Sequence, residues 1–278
     1  MGLMLQIIRI ATPYLFAAAG GTIAERSGIV SLGLEGYMLT GACAAAFGSY
    51  YGGNVWSGIL WGAMGGAVLA AIHAIATIRF RADQIVSGIG VNILAVGVTR
   101  FALRIAFGSS SNSPRVPGGA SGLLEIAGLL SIVLVAMILD TTRFGLRLRA
   151  AGEHPEAATT VGISVSRIRY IAVIASGALA GLGGTFLALD QHQFSDEMTA
   201  GRGFIALAAV IFGRWQPARV GAACLLFAGA EALEINLQGT GAIPSQFVAM
   251  IPYVLTIVAL AGIVGRSVPP AALGKSGH

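Results

Sequence analysis

The chain has 278 residues, of which 55% are hydrophobic and only 10% are charged. Soluble domains average about 25% charged residues, so this composition leaves too little polar surface to face water. The formal net charge of +5 comes from sixteen arginines and one lysine against twelve acidic residues. Most arginines stand at the ends of apolar segments, as in a membrane protein. We therefore expect the lipid bilayer as a partner and no nucleic acid.

Apolar runs long enough to span a bilayer recur along the chain. A helix of about 20 apolar residues crosses the hydrocarbon core, and a shorter run at 204–213 reaches only about half way. The sequence thus predicts an all-α, polytopic membrane protein with about 8–10 transmembrane helices. The predicted long helices lie near residues 3–23, 28–49, 54–78, 84–107, 124–142, 170–190, 218–236 and 246–265.

Loop charges predict the orientation of these helices. The polar insert 143–169 carries five arginines and two glutamates, which places it on the cytoplasmic side. The link 79–83 holds Arg79 and Arg81 and belongs on the same side. The Ser-, Pro- and Gly-rich loop 108–122 then faces outward, and counting back along the chain places the N-terminus outside as well.

Two segments are interrupted and differ from ordinary spans. Residues 25–39 read ERSGIVSLGLEGYML, and residues 199–221 read TAGRGFIALAAVIFGRWQPARVG. Hydrophobic segments interrupted by Gly or Pro in corresponding halves of a chain indicate the binding region of a transporter. The alternative is that both are loop ends lying at the membrane interface.

The insert 143–169 contains a helix signal of its own. Pro155 suits the first helical position, where its missing N–H costs nothing, and Gly162 is placed to end the helix. The result is a helix of about two turns, with Ser164 or Ser166 available to cap the next span. Because a helix this short is unstable alone in water, we expect it to dock on the membrane, on this chain or on a partner.

Glycines at helical spacing indicate close packing of helices. Gly58, Gly62 and Gly66 recur every fourth residue, and Gly177 and Gly181 repeat that spacing. Such a stripe lets two helix backbones approach in lipid, where the hydrophobic effect does not drive association. The pattern leaves open whether the contact is within the chain or between subunits.

Five stretches carry a resemblance to a known family. They are residues 25–39 quoted above, 81–101 (RADQIVSGIGVNILAVGVTRF), 149–184 (RAAGEHPEAATTVGISVSRIRYIAVIASGALAGLGG), 198–215 (MTAGRGFIALAAVIFGRW) and 251–262 (IPYVLTIVALAG). Over most of its length the chain resembles the ABC importer permeases of the branched-chain amino acid, ribose and nucleoside superfamily. In particular it is similar to the smaller permease of bacterial nucleoside importers. Ser31 and His154 depart from the family pattern, which usually has Asn at both positions.

The resemblance implies a fold and a set of partners. The chain would be a single transmembrane permease domain over 1–278, with a first half at 1–142, a cytoplasmic coupling loop at 143–169 and a second half at 170–278. A second permease, expected to be a different chain, would complete the pore in the bacterial inner membrane. An extracytoplasmic binding protein would deliver the solute to the outward loops.

A cytoplasmic ABC ATPase would bind the ATP and Mg, and this chain would bind no cofactor. The sequence has no P-loop, no cluster with metal-ligand spacing and no catalytic constellation, so we expect no enzymatic activity of its own. The resemblance assigns the insert to contact with the ATPase through Arg149, Glu153, His154, Pro155, Glu156, Ala157, Thr160 and Gly162.

Four residues are candidates for the solute pathway: Ser31, Glu35, Asn92 and Phe204. A charge at the bilayer centre costs about 3 kcal/mol, which favours a function for Glu35, with pairing to Arg26 at the membrane surface as the alternative. Asn92 suits a hydrogen bond to a ribose or base, or to a neighbouring helix. Phe204 suits stacking on a nucleobase, or a place against lipid or the core.

The solute and the energy source have alternatives. The departure at Ser31 leaves ribose-like sugars and ureides open beside nucleosides. A carrier or channel driven by an ion gradient would instead use intramembrane carboxylates such as Glu35 or Glu231.

Overall fold

The computed structural model describes residues 2–238 and 268–275. In this part of the chain the regular structure is helical, apart from one antiparallel bridge between Asn112 and Ser195. A π-helical turn, Ile75–Arg79, continues the third helix. The α-helices are α1 Leu3–Arg26, α2 Leu34–Gly52, α3 Val55–Ala74, α4 Gln84–Phe107, α5 Ser121–Thr141, α6 Arg143–Glu153, α7 Pro155–Thr160, α8 Val165–Asp190, α9 Arg202–Phe212 and α10 Pro217–Gln238.

Six of these helices are long and apolar enough to cross a membrane: α1, α3 with its π turn, α4, α5, α8 and α10. The prediction of an all-α polytopic protein is therefore confirmed, and the predicted half-length run is the short helix α9. The predicted start of the second helix at residue 28 is wrong, because α2 begins only at Leu34. The predicted span 246–265 lies outside the described residues.

The core of the bundle is built around α1 and α8. Every residue of α1 from Ala11 to Glu25 is buried, which is unusual for a helix that could face lipid. In α8 the window that could span the membrane is 67% buried, against 22% in α4. Helices α1, α2 and α8 therefore form the interior, α3 packs on them through one face, and α4 lies at the periphery.

The glycine stripes pack these helices against each other. A Cβ atom on Gly177 would lie 2.5 Å from the carbonyl oxygen of Gly66, and one on Gly41 would lie 2.6 Å from that of Gly181. Neither contact leaves space for a side chain, so α3 and α2 approach α8 at backbone distance. The question left by the sequence is answered here, since the glycine contacts lie within the chain.

The two ends of the bundle differ in their contacts. At one end, Arg9 of α1 pairs with Asp190 of α8 at 2.7 Å. At the other end, the backbone N–H of Ala272 donates to the carbonyl of Gly152 at 2.8 Å, which joins the tail to the α6–α7 connection. The second end carries the arginine-rich insert and therefore corresponds to the predicted cytoplasmic side.

Candidate functional site

The first interruption, residues 27–33, joins α1 to α2 and is held by α4. Val30 N–H donates to Gln84 Oε1 at 2.8 Å. Asn92 Nδ2 donates to the Leu32 carbonyl, and Asn92 Oδ1 accepts from Gly36 N–H, both at 2.9 Å. Asn92 thus satisfies a backbone N–H in the first turn of α2, which begins inside the bundle. Of the two roles considered for Asn92, a hydrogen bond to a neighbouring helix is the one observed, at Gly36 of α2.

Ser31 lies in a buried polar cluster beneath this interruption. Its N–H donates to Glu25 Oε1 at 3.2 Å, and its hydroxyl donates to the Gly21 carbonyl at 3.3 Å. The indole N–H of Trp215 donates to the other Glu25 oxygen at 2.5 Å. Ser31 is only 3% exposed. The cluster joins the end of α1 to the turn between α9 and α10.

The second interrupted segment, predicted at 199–221, comprises the end of the outward loop 191–201, the helix α9 and the turn before α10. We call the loop 191–201 the second interruption, and Glu35 holds its end. Glu35 Oε1 accepts from the hydroxyl of Thr199 at 2.5 Å and from Gly201 N–H at 2.9 Å. Its Oε2 accepts from Gly203 N–H at 2.7 Å. A carboxylate is thereby placed at the positive end of α9, where the free N–H groups and the helix dipole both stabilise it.

Pairing of Glu35 with Arg26, the alternative considered from the sequence, is wrong. Arg26 Nε donates to the Trp215 carbonyl at 2.9 Å instead, whereas the Glu35 carboxylate is bonded to the start of α9. The sequence contained no signal for this partner, because 164 residues separate Glu35 from Thr199.

A second carboxylate holds the start of α9 from the other side. Arg202 Nη2 lies 3.2 Å from Glu231 Oε1 on α10, and the side chains of both residues are 25% exposed. The hydroxyl of Tyr14 donates to the other Glu231 oxygen. Glu231, considered for ion coupling, therefore lies in an ion pair that joins α1, α9 and α10.

A cavity of about 360 Å³ lies beside the contact between the start of α2 and the start of α9. Glu35, Asn92 and Phe204 line it, whereas Ser31 does not. Phe204 is 47% exposed at the first turn of α9 and offers its ring to the space. The cavity wall is completed by Gly36, Leu39, Ile93, Val96, Glu197, Thr199, Ala200 and Gly201.

The two outward loops pack on each other above this cavity. Ser113 N–H donates to the Phe194 carbonyl, and Val116 N–H to the His192 carbonyl, both at 2.9 Å. Arg100 at the outer end of α4 pairs with Asp196 at 2.7 Å and with Glu197 at 2.8 Å. The loops 108–120 and 191–201 therefore form one continuous surface.

The insert forms the predicted short helix. Pro155 stands at the first position of α7, and Gly162 follows its end with φ +81°. Ser164 is the N-cap residue of α8, but its side chain makes no cap hydrogen bond. The predicted capping by a serine side chain is therefore not observed at this position.

The sequence reading missed α6, which precedes the short helix. The hydroxyl of Thr142 accepts from Gly145 N–H at 3.0 Å and caps it. Leu148, Ala151 and Gly152 are buried along one face. The available signal was the cap residue Thr142 followed by Leu148, Ala151 and Gly152 at helical spacing. The arginines between these residues made the segment read as a polar loop.

The candidate coupling residues divide into two groups. Glu153, His154, Pro155, Glu156 and Ala157 line a larger cavity of about 770 Å³ at the cytoplasmic end. Arg149, Thr160 and Gly162 lie outside its lining; Thr160 and Gly162 are exposed, and Arg149 Nη1 lies 3.9 Å from Asp140.

Within the described residues, no group of three or more His, Cys, Asp and Glu side chains is arranged to hold a metal ion. The free cysteines Cys43 and Cys224 are both buried.

Comparison with known proteins supports the transport interpretation. The chain is 39% identical to the guanosine ABC transporter permease protein NupQ of Bacillus subtilis and 38% identical to the nucleoside ABC transporter permease protein NupC of Lactococcus lactis. Each alignment covers 95% of this chain and 92% of the relative. The putative glucose ABC transporter permease protein TsgC13 of Haloferax volcanii is 34% identical, over 85% of this chain and 78% of that protein.

The relatives include separate permease proteins from one organism. A second guanosine ABC transporter permease protein of Bacillus subtilis, NupP, is 25% identical over 88% of this chain and 77% of that protein. The family model for the permease component of branched-chain amino acid transport systems matches residues 3–260. With this match and the helices described above, the chain belongs to that family and is a multi-pass membrane permease of the ABC type.

Proposed function

We propose that this chain is one of two permease subunits of an ATP-driven importer for nucleosides in the bacterial inner membrane. The names of NupQ and NupC support the solute class, since both relatives align over nearly their whole length. The observation that carries the proposal is the cavity where the two interrupted segments meet at Glu35. Irregular backbone at membrane depth is tolerated where it lines a cavity or is buried in protein.

The lining of this cavity suits a small, flat, polar solute. Its volume of about 360 Å³ lies within the range of small-molecule sites. Phe204 presents an aromatic ring on which a base can stack. The Asn92 amide and the Glu35 carboxylate are both engaged by backbone groups, so their role is to fix the two helix starts that frame the solute. Ser31 does not line the cavity, and it holds the first interruption against α1 through Glu25 and Gly21.

A second permease subunit would close this cavity. The cavity borders α4, whose residues Ile93 and Phe101 are 69% and 67% exposed. Contact of a lining that contains Glu35 and Glu197 with lipid would be costly, so a protein surface or water must face it. The existence of NupP beside NupQ in one organism supports a different chain as that partner.

The short helix α7 would transmit the work of ATP hydrolysis. It is exposed at Glu156, Ala157 and Thr160, and it is connected to α8 through Gly162. A cytoplasmic ATPase would bind α7 and carry the ATP and Mg, because this sequence has no phosphate-binding P-loop. At the opposite end, the joined outward loops 108–120 and 191–201 would receive the solute-binding protein.

Uptake of radiolabelled adenosine and uridine tests the proposed solute class. Cells lacking the gene are compared with cells that carry it on a plasmid, with excess unlabelled ribose or glucose as competitors. We expect deletion to abolish uptake and neither sugar to compete. Normal nucleoside uptake in deleted cells that have no other nucleoside importer would refute the solute class. Loss of sugar uptake instead would favour the function for which TsgC13 is named.

Reversal of one charge on α7 tests the coupling role separately. Glu156→Arg should abolish uptake while the protein remains in the membrane, and Glu156→Gln should retain part of it because the helix and its shape persist. Immunoblots of membrane fractions provide the measure of protein content. Wild-type uptake by the Glu156→Arg variant would contradict docking of the ATPase at this position.

A further inference from the structure

The cytoplasmic cavity of about 770 Å³ is lined in part by residues of α8 that the proposed contact with the ATPase does not involve. Its sides are the end of the third helix at Thr77 and Ile78, the helix α7, the first turn of α8 and the tail at Ala272. Its volume lies in the upper range of small-molecule sites. The first turn of α8 and Arg169 give this cavity the features of an anion site.

The first turn of α8 presents an uncapped helix terminus to the cavity. Ser164, Val165 and Ser166 all line it, and no side-chain hydrogen bond caps the helix at Ser164. The helix continues for 26 residues, so its aligned peptide dipoles place a partial positive charge at this end. Free N–H groups at such a terminus are suited to an anion.

Arg169 adds a full positive charge one turn further along the same helix. It lines the cavity and is only 7% exposed. Its Nε donates to the Ser27 carbonyl at 3.2 Å, but its buried Nη2 has no hydrogen-bond partner in the described part of the chain. Among residues 2–238 and 268–275 it also forms no ion pair. A buried guanidinium without a counter-ion is costly, so an anion at its cavity-facing side would be stabilised.

The other charges around the cavity do not neutralise Arg169. Arg81 and Lys275 add two more positive charges to the lining. Glu153 and Glu156 are also there, but Glu153 Oε2 accepts from Ala271 N–H at 3.2 Å, and neither carboxylate pairs with Arg169. The positive potential at the start of α8 is therefore open to a ligand.

We propose that this cavity binds the phosphate group of an organic phosphate, held by the N-terminus of α8 and by Arg169. A phosphate offers several acceptor oxygens that can bond the guanidinium and the free N–H groups at once. The space beside it, walled by Ile78, Ile163 and Val165, accommodates the organic part. A soluble nucleotide and the headgroup of an anionic phospholipid both supply this chemistry. Because α7 forms the opposite wall, the bound phosphate joins the coupling helix to α8.

Binding is measured on the purified transporter with all its permease and ATPase subunits. One arm titrates the complex in phospholipid-free detergent with labelled AMP, the probe for a soluble phosphate, by equilibrium dialysis. The other arm adds phosphatidylglycerol and counts retained lipid by native mass spectrometry. Background binding of AMP by the ATPase subunits is the same in every variant described below, so only differences between variants are assigned to this cavity. We expect saturable binding of at least one probe, one molecule per chain, and the arm that shows it identifies the source.

Three variants assign the binding to this cavity. Arg169→Gln removes the charge and should weaken binding at least tenfold. Ser166→Asp repels the anion and should do the same, while its negative charge near the N-terminus stabilises α8; this variant keeps the test valid if Arg169→Gln fails to fold. Arg167→Gln is the matched control, because Arg167 is exposed and lies outside the lining, and its binding should equal that of wild type. No saturable binding in either arm, or equal binding by all four proteins, would overturn the proposal.

Discussion

The two interruptions of this permease are held in different ways. In the first, residues 27–33, five residues are buried: Ser27, Gly28, Ile29, Ser31 and Gly33. In the second, residues 191–201, the exposed residues include Gln191, His192, Glu197 and Ala200. Side-chain amides of α4 and the buried side chains of Glu25 and Arg169 bond the first. The carboxylates of Glu35 and Glu231 hold the end of the second and the start of α9.

This difference indicates that the two segments differ in how easily they move. A buried segment with satisfied hydrogen bonds is expensive to move, so the first interruption is a fixed support. The second is solvated on its outer side, and we expect it to be the segment that rearranges when solute enters. Glu35 connects the two, since it belongs to the start of α2 and binds the start of α9.

Replacement of Glu35 should have the largest effect, because it breaks the contact between the two segments. In Glu35→Ala, the hydroxyl of Thr199 and the N–H groups of Gly201 and Gly203 lose their acceptor. Each unsatisfied buried donor costs about 1–3 kcal/mol, so we expect thermal unfolding at a clearly lower temperature and at least a tenfold loss of nucleoside uptake.

Glu35→Gln is the control for shape, since it keeps one acceptor oxygen and nearly the same volume. It should retain measurable uptake and unfold between the wild type and Glu35→Ala. If Glu35→Ala unfolds and transports like the wild type, the second interruption does not depend on this carboxylate.

Replacement of Asn92 should act on the fixed support alone. Asn92→Leu leaves Gly36 N–H and the Leu32 carbonyl unpaired, at a cost of about 1–3 kcal/mol. Because the amide is already engaged by the backbone, we expect a lower unfolding temperature with little change in the KM for nucleoside. Thr99→Val is the matched control on the same helix, because within the described residues the Thr99 hydroxyl bonds only to carbonyls of its own helix. A large rise in KM in Asn92→Leu would instead assign Asn92 to direct contact with the solute.

The ion pair between Arg202 and Glu231 should give the smallest effect of the three. Both side chains are 25% exposed, so the pair is worth about 1–2 kcal/mol, between exposed and buried pairs. Arg202→Gln and Glu231→Gln should each lower the unfolding temperature, and the double variant should cost less than their sum. The coupling energy of this double-mutant cycle measures the pair. Strict additivity would contradict the contact.

The sequence predicted those features that depend on local pattern. The apolar runs located the long helices, and Pro155 with Gly162 marked α7. The start of α2 could not be placed, because Ile29, Val30 and Leu32 continue the apolar pattern through residues that are not helical. Periodicity reports which residues are apolar and carries no information on where a buried segment leaves the helix.

The partners of the candidate site residues could not be predicted for a different reason. Glu35 and Asn92 were identified as unusual polar residues in membrane segments, and both line the cavity. Their hydrogen-bond partners are distant in sequence, with 164 residues between Glu35 and Thr199 and 60 between Asn92 and Leu32. Such contacts are set by how the helices pack and not by local composition. Ser31 was selected by its place in the first interruption, yet packing directs it away from the cavity.

Cysteine accessibility at Phe204 tests most directly whether the cavity at Glu35 is the solute pathway. The native Cys43 and Cys224 are buried, so a thiol introduced by Phe204→Cys is read against a low background. Leu130→Cys, at an exposed apolar position on α5, is the control that faces lipid. We predict that a hydrophilic methanethiosulfonate reagent labels the first variant in the assembled transporter, that adenosine slows this labelling, and that the second variant stays unlabelled. Equal labelling of the two variants, with no protection by adenosine, would contradict the account.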